Sequence, residues 1–212
     1  MPSMSSVERS YGGRSAQERT EDRRARLVEA AITVLAGQGE RATMTAICQE
    51  AGLTERYFYE SFAHRDAALV AALERVTDEI AGNAVRVLQD TPGSTEERVL
   101  AMARDFAHWA ATHRDRAVVA VMHARTIAAL RQRRKELVVT FAEIAAHEAA
   151  ELYGDQAWDP DRARVQGIIF VGGLAELVAA WLSGDVELEP DGLADVVADL
   201  FVALVRRPWA VS

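Results

Sequence analysis

Between Thr43 and Phe62 the sequence runs TMTAICQEAGLTERYFYESF, a short helical segment, a glycine turn and a second short helical segment. Thr43 is placed to cap the first segment, which extends through Ala51. Gly52 supplies the turn, and Thr54 caps the second segment to about Glu60. This layout is that of a helix-turn-helix, whose second helix enters the major groove of DNA while the first braces it across the backbone. Ile47, Ala51, Leu53, Phe58 and Phe62 form its small core, with Cys48 beside Ile47 as a small packing residue. Thr54, Glu55, Arg56, Tyr57 and Tyr59 are left on the outside.

The flanking sequence is helical throughout. Residues 1–16 are rich in Ser, Gly and Arg without periodicity and read as a flexible arm. From Thr20, Leu27, Ala31, Val34 and Leu35 mark one face of a helix that Gly37 and Gly39 end. A long helix is expected from His64 or Arg65 to Leu88, stopped by the Asp90-Thr91-Pro92-Gly93 cluster. The capping box Ser94-x-x-Glu97 opens another, to about Thr112. Residues 115–153 read as two helices with no Gly or Pro at their junction. Asp159 and Pro160 form a cap and first-turn pair for a helix ending at Ser183, and a last helix runs from Pro190 or Asp191 to near Arg206. No stretch alternates with period 2, so an all-α fold of about nine helices is expected. Its divisions are an arm (1–16), a three-helix DNA-binding domain (17–65) and a helical ligand-binding and dimerisation domain (66–208).

The chain of 212 residues has a net charge of −8, unevenly spread: residues 1–66 hold 9 basic and 10 acidic groups, so the acidity belongs to the remainder. Any contact with nucleic acid is therefore local to the N-terminal third. A single cysteine excludes an intramolecular disulfide and points to a reducing, cytoplasmic setting. The longest nearly apolar run, Ile168–Leu182, contains Glu176 and falls short of the roughly 18–20 residues that span a bilayer, so no membrane partner is expected.

With AAITVLAGQG before it and HRDAALV after it, the Thr43–Phe62 segment resembles the N-terminal DNA-binding domain of the TetR family of transcriptional repressors. Phe58, Tyr59 and Phe62 stand at the family's Leu-Tyr-x-x-Phe positions, Thr43 at its capping Thr, and Arg65 where a Lys is usual. The resemblance implies that Thr43, Tyr59 and Arg65 hold phosphate oxygens, which sets register, while Thr54, Glu55, Arg56 and Tyr57 face base edges. Arg56 would suit guanine O6 and N7, and Glu55 cytosine N4. Thr45, also on this surface, stands where many relatives carry Arg, and Ser61 where His or Tyr is frequent. Fewer charges on the DNA face predict weaker non-specific binding or more reliance on the arm.

In the C-terminal part, QGIIFVGGLAELVAAWL is apolar around nearly its whole circumference, more than one buried stripe requires. Such a helix is covered by its own domain on one side and by a partner on the other. With the last helix it is similar to the two-fold four-helix interface of TetR-type repressors, which implies a homodimer through Ile169, Gly172, Gly173, Glu176, Val197, Leu200, Phe201 and Leu204. Met102, Phe106, Trp109, Met122, His123 and Phe141, mixed with alanines, are the candidate lining of a small-molecule pocket.

The function expected is thus a repressor that binds a palindromic double-stranded operator as a homodimer and is released by a small molecule of unknown identity. The alternative is a helical enzyme or ligand carrier without DNA binding. Glu143, His147 and Glu151 share a helix face, but exposed charge stripes have that spacing. Asp105 and His108 make an acid/base spacing with no nucleophile motif or phosphate loop beside it. No catalytic residue, metal or cofactor is expected.

Overall fold

The structure, a computed structural model, describes residues 15–154, 157 and 160–206. Among them every regular element is helical. The first helix starts earlier than the apolar periodicity suggests. The Ser15 hydroxyl accepts from the Glu18 amide at 3.0 Å while the Glu18 carboxylate accepts from the Ser15 amide at 2.6 Å, a capping box that opens α1 (Ala16–Gln38). The arm expected over 1–16 lies outside the described residues up to 14, and its last residue, Ala16, belongs to α1.

A 3₁₀ turn, Gly39–Arg41, leads to α2 (Met44–Ala51) and α3 (Glu55–Ser61). Gly52 lies between them at φ 61°, a left-handed conformation that closes α2, and the Arg26 guanidinium donates to the Ala51 carbonyl at 2.6 Å. The long α4 (Arg65–Asp90) starts at His64, whose Nδ1 accepts from the Ala67 amide at 3.2 Å, and it continues two residues beyond Leu88.

The capping box at Ser94 opens α5 (Thr95–Thr112), followed by α6 (Arg114–Val118), a π-helical stretch (Val119–His123) and α7 (Ala124–Thr126). After these come α8 (Ala128–Tyr153), α9 (Pro160–Ser183) and α10 (Pro190–Arg206). With α6, the π stretch and α7 taken as one continuous run, the described residues hold nine helices. The break that no Gly or Pro announced is Ile127, extended at φ −80° and ψ 123° with its side chain buried in the core. The expected cap Asp159 lies outside the described residues.

Two apolar cores share α9. The first joins Leu27, Leu35, Ile47, Phe58, Leu69 and Leu73 of α1–α4 to Val119, Leu130 and Val178. The second joins Val99 and Ala107 of α5 to Phe170, Leu193, Val197 and Phe201 of α9 and α10. Leu174 and Trp181 pack against both, so the helix-turn-helix segment and the remainder are continuous through packing as well as through α4.

One expectation for α9 changes. Taken whole, over Arg162–Ser183, it is long and apolar enough to cross a membrane, because counting only the strictly apolar run understated it. In this fold it packs against α8 and α10. Within the chain, α9 makes its close helix approach at Gly167, where a Cβ would collide with the Ala142 carbonyl oxygen of α8. A Cβ on Gly172 or Gly173 would meet nothing within 4 Å.

Candidate nucleic-acid interface and ligand cavity

Helix α3 is held from beneath by its aromatic side chains. Phe58 is fully buried, with its ring 5.7 Å from Phe62 and 5.9 Å, edge-on, from Tyr59. Anchored this way, the helix leaves Thr54, Glu55, Arg56 and Tyr59 exposed, Tyr59 at 59% and the Arg56 side chain at 85%. Thr54 makes no side-chain capping bond, which leaves its hydroxyl available. Arg56 is steadied by Glu60, Nε to Oε1 at 3.2 Å. The Thr45 hydroxyl donates to Glu55 Oε1 at 3.4 Å, tying α2 to α3 across the turn. The Thr43 hydroxyl caps α2 by accepting from the Ala46 amide at 3.1 Å, and its own proton remains to be donated.

Two of the expected contacts are placed differently. Tyr57 is half-buried, with the Arg23 guanidinium 4.7 Å above its ring, and Ser61 one turn later is half-buried on the same side. That side of α3 faces α1, so Tyr57 is a packing residue at this surface. Arg65 is turned inward, paired with Asp66 at 2.7 Å and donating to the carbonyls of Glu40 (3.4 Å) and Ala42 (3.3 Å). It braces the 3₁₀ turn ahead of α2. Arg41, which motif reading passed over, is exposed within that turn and has no partner among the described residues. The signal was present in the sequence as a cation two residues before the capping threonine. Burial pushes the Cys48 thiol up, and the Glu55 charge adds to the effect, in keeping with a packing role.

An apolar cavity of about 150 Å³ lies between α4, α5, α8, α9 and α10. Met102, Phe106, Trp109 and Phe141 line it as expected. Met122 and His123 do not. His123, in the π stretch, binds the Ala36 carbonyl through Nε2 at 3.2 Å and stacks beneath Gly39, while Met122 packs into the first core. Their helix runs beside α1 and carries both residues to the N-terminal side.

Trp109 also heads a polar chain. Its Nε1 donates to Glu79 of α4 at 3.0 Å, Glu79 pairs with Arg116 of α6 at 3.3 Å, and Arg116 pairs with Glu29 of α1 at 2.5 Å. Asp105 pairs with Arg86 at 3.8 Å and His108 with Asp191 at 3.1 Å, so each member of the acid/base spacing is engaged elsewhere. Glu143, His147 and Glu151 lie exposed along α8.

The sequence matches no family model and no curated protein. Its structure is similar to those of a TetR-like transcriptional regulator from Rhodococcus sp. RHA1 (22% identity, TM-score 0.64, 85% of this chain and 93% of that one). It is also similar to a TetR-family transcriptional regulator from Bordetella parapertussis (24%, 0.61, 86% and 95%). The transcriptional regulator FadR from Bacillus subtilis, solved in complex with stearoyl-CoA, aligns at 17% identity and TM-score 0.70 over 84% of this chain and 97% of that one. The fold is that of the TetR-type regulators.

In this TetR-type fold α9 and α10 present a broad apolar face. Ile169 is 52% exposed, Gly172, Gly173 and Glu176 lie along the same surface, and Leu200 and Leu204 are half-buried at its edge. Glu176 is held by Arg125 at 2.6 Å. Val165 and Ile168, outside the interface set expected from the sequence, and Val196 of the apolar last helix extend the face. Val197 and Phe201 do not belong to it. They are 3% and 2% exposed, packed inward where the Phe201 ring meets Phe170 at 5.1 Å, and both line the cavity. The sequence places apolar residues on both sides of α10 but does not say which side turns inward.

Proposed function

We propose that this chain is a TetR-type transcriptional repressor in the cytoplasm, which binds a palindromic operator as a homodimer and leaves it when a small molecule occupies the cavity. The observation that carries this reading is the outer edge of α3, where Thr54, Glu55, Arg56 and Tyr59 stand exposed on a helix locked by Phe58 and Phe62. Such an edge suits base-edge and phosphate contacts in the major groove. The apolar α9–α10 face supports pairing with a second copy, through Ile169, Gly172, Gly173, Leu200 and Leu204 among others. The FadR structure with stearoyl-CoA supports the idea that a helical domain of this type holds a ligand. Helix α4, which carries Glu79, leads from the cavity to the DNA-binding domain. Two recognition helices must sit about 34–36 Å apart to read successive major grooves, so a small shift in α4 suffices to lower affinity.

The test is a gel-shift with DNA flanking the gene, followed by selection from a random library. A retained palindrome whose half-sites are one helical turn apart supports the reading. Absence of any selected sequence, with ligand binding intact, would favour a ligand carrier instead. Sedimentation checks the second element, and a monomer at micromolar concentration would remove it.

A further inference from the structure

The cavity wall contains two kinds of surface. Most of its lining is hydrocarbon or aromatic, including Phe106, Trp109, Phe141 and Phe170, and its polar members are Asn83, Asp105 and Glu148. Both formally charged groups are therefore carboxylates. Glu148 reaches the cavity because it continues the α8 face that bears Phe141, Ile144, Ala145 and Leu152, at helical spacing along one side. It is half-buried and, among the described residues, makes no hydrogen bond or ion pair. Asp105 already has Arg86 at 3.8 Å. The other guanidinium bonded to a lining residue, Arg98, is committed to the Leu88 carbonyl through two hydrogen bonds of 3.1 and 2.7 Å. Among the residues lining this cavity no cation is thus left to receive an anionic ligand, whereas one carboxylate stands unpaired at the edge of an apolar space. Arg134, half-buried and without a partner among the described residues, belongs to the adjoining space that shares Phe106 and Phe141.

We propose that the cavity takes a compact apolar amine, its ring or short chain among the aromatic side chains and its ammonium group on the Glu148 carboxylate. This rests on the ligand-site reading above and specifies the ligand class. A cavity of about 150 Å³ is the size that holds one benzene ring. Charge-assisted hydrogen bonds at a partly desolvated carboxylate are about twice as strong as neutral ones. An anionic head of the same shape, placed at Glu148, would face repulsion from it and lose its hydration with no cation among this cavity's lining residues. Asn83 adds a neutral amide whose oxygen can accept a hydrogen bond from a second ammonium N–H.

Three probes sharing one hydrophobic part separate these effects: 4-phenylbutylamine, 4-phenylbutanol and 4-phenylbutanoate, each titrated calorimetrically into the full chain at pH 7. The amine is expected to bind about tenfold or more tightly than the alcohol, and the carboxylate more weakly than either. In Glu148→Gln the amine should fall to the level of the alcohol, whose own affinity is unchanged; that unchanged alcohol affinity also shows that the cavity remains folded. Equal binding of all three probes, or an amine preference that survives Glu148→Gln, would overturn the ligand class while leaving the cavity as a ligand site. No binding by any probe, where Ala103→Trp also leaves every signal unaltered, would overturn both. DNA binding by the same preparation reports separately on the regulator reading.

Discussion

The guanidinium of Arg41 meets no partner among the described residues, while that of Arg56 is held by Glu60 at 3.2 Å. A free cation beside the α2 cap suits a phosphate, and a steadied one on the outer edge of α3 suits a guanine. Arg41→Ala should therefore weaken all DNA sequences about equally and lower the slope of log affinity against log salt by about 1. Arg56→Ala should instead relax preference at one base pair per half-site, at a cost of roughly 1–3 kcal/mol there. Fluorescence anisotropy over a salt series and a set of substituted operators measures both. Sequence-independent loss for Arg56→Ala would reassign it to the backbone. The motif alone put Thr54, Arg56 and Tyr59 on the outside and Thr43 at the α2 cap, where the structure has them, because capping and aromatic spacing are local properties. It misplaced Tyr57 and Arg65, whose orientation depends on Arg23 of α1 and on the carbonyls of Glu40 and Ala42.

Helix boundaries follow from capping chemistry, and that chemistry titrates. Hydrogen bonding from the Ser94 backbone, then from its hydroxyl, holds the Glu97 carboxyl below the usual carboxylate range. A lowered folded value means that the stabilisation of the α5 start is present above the ordinary carboxylate pKa and is lost as pH falls through the lowered one. Ser94→Ala should move the Glu97 titration part-way back up, as carboxyl NMR would show; an unmoved titration would mean that the hydroxyl plays no part.

Packing between helices is tested by glycine. In Gly167→Ala the new methyl would collide with the Ala142 carbonyl, so α8 and α9 must separate, costing about 1–3 kcal/mol and several degrees of Tm. Gly82→Ala in α4, where a Cβ meets nothing within 4 Å, should instead stabilise by about 0.5–1 kcal/mol. Denaturant unfolding distinguishes the two. The helix order was legible because periodicity and caps are written locally. The identity of the crowded glycine was not, since Gly167 and Gly172 differ only in what another helix brings near them.

At the scale of the whole molecule, the chain Trp109–Glu79–Arg116–Glu29 runs from the cavity wall to α1, which packs on the helix-turn-helix. Glu29 also holds Arg75 at 3.5 Å, so its carboxylate gathers α4 and α6 onto α1. For a regulator of the proposed kind, ligand and operator should oppose each other by roughly 1–3 kcal/mol, about 5- to 150-fold, and equally in both directions. Glu29→Gln leaves the cavity and α3 untouched. It should preserve each binding event alone while reducing their mutual antagonism, as titrating a ligand found by thermal-shift screening with and without saturating operator would show. Full antagonism in that variant would exclude this route. The open face of α9 has a genetic consequence. If every operator-bound unit needs two intact copies, a chain defective in α3 but sound in α9 captures sound chains into pairs with only one reading head. Such an allele would be dominant over the wild type in the same cell, and adding a charge at Ile169 to the defective chain would make it recessive again.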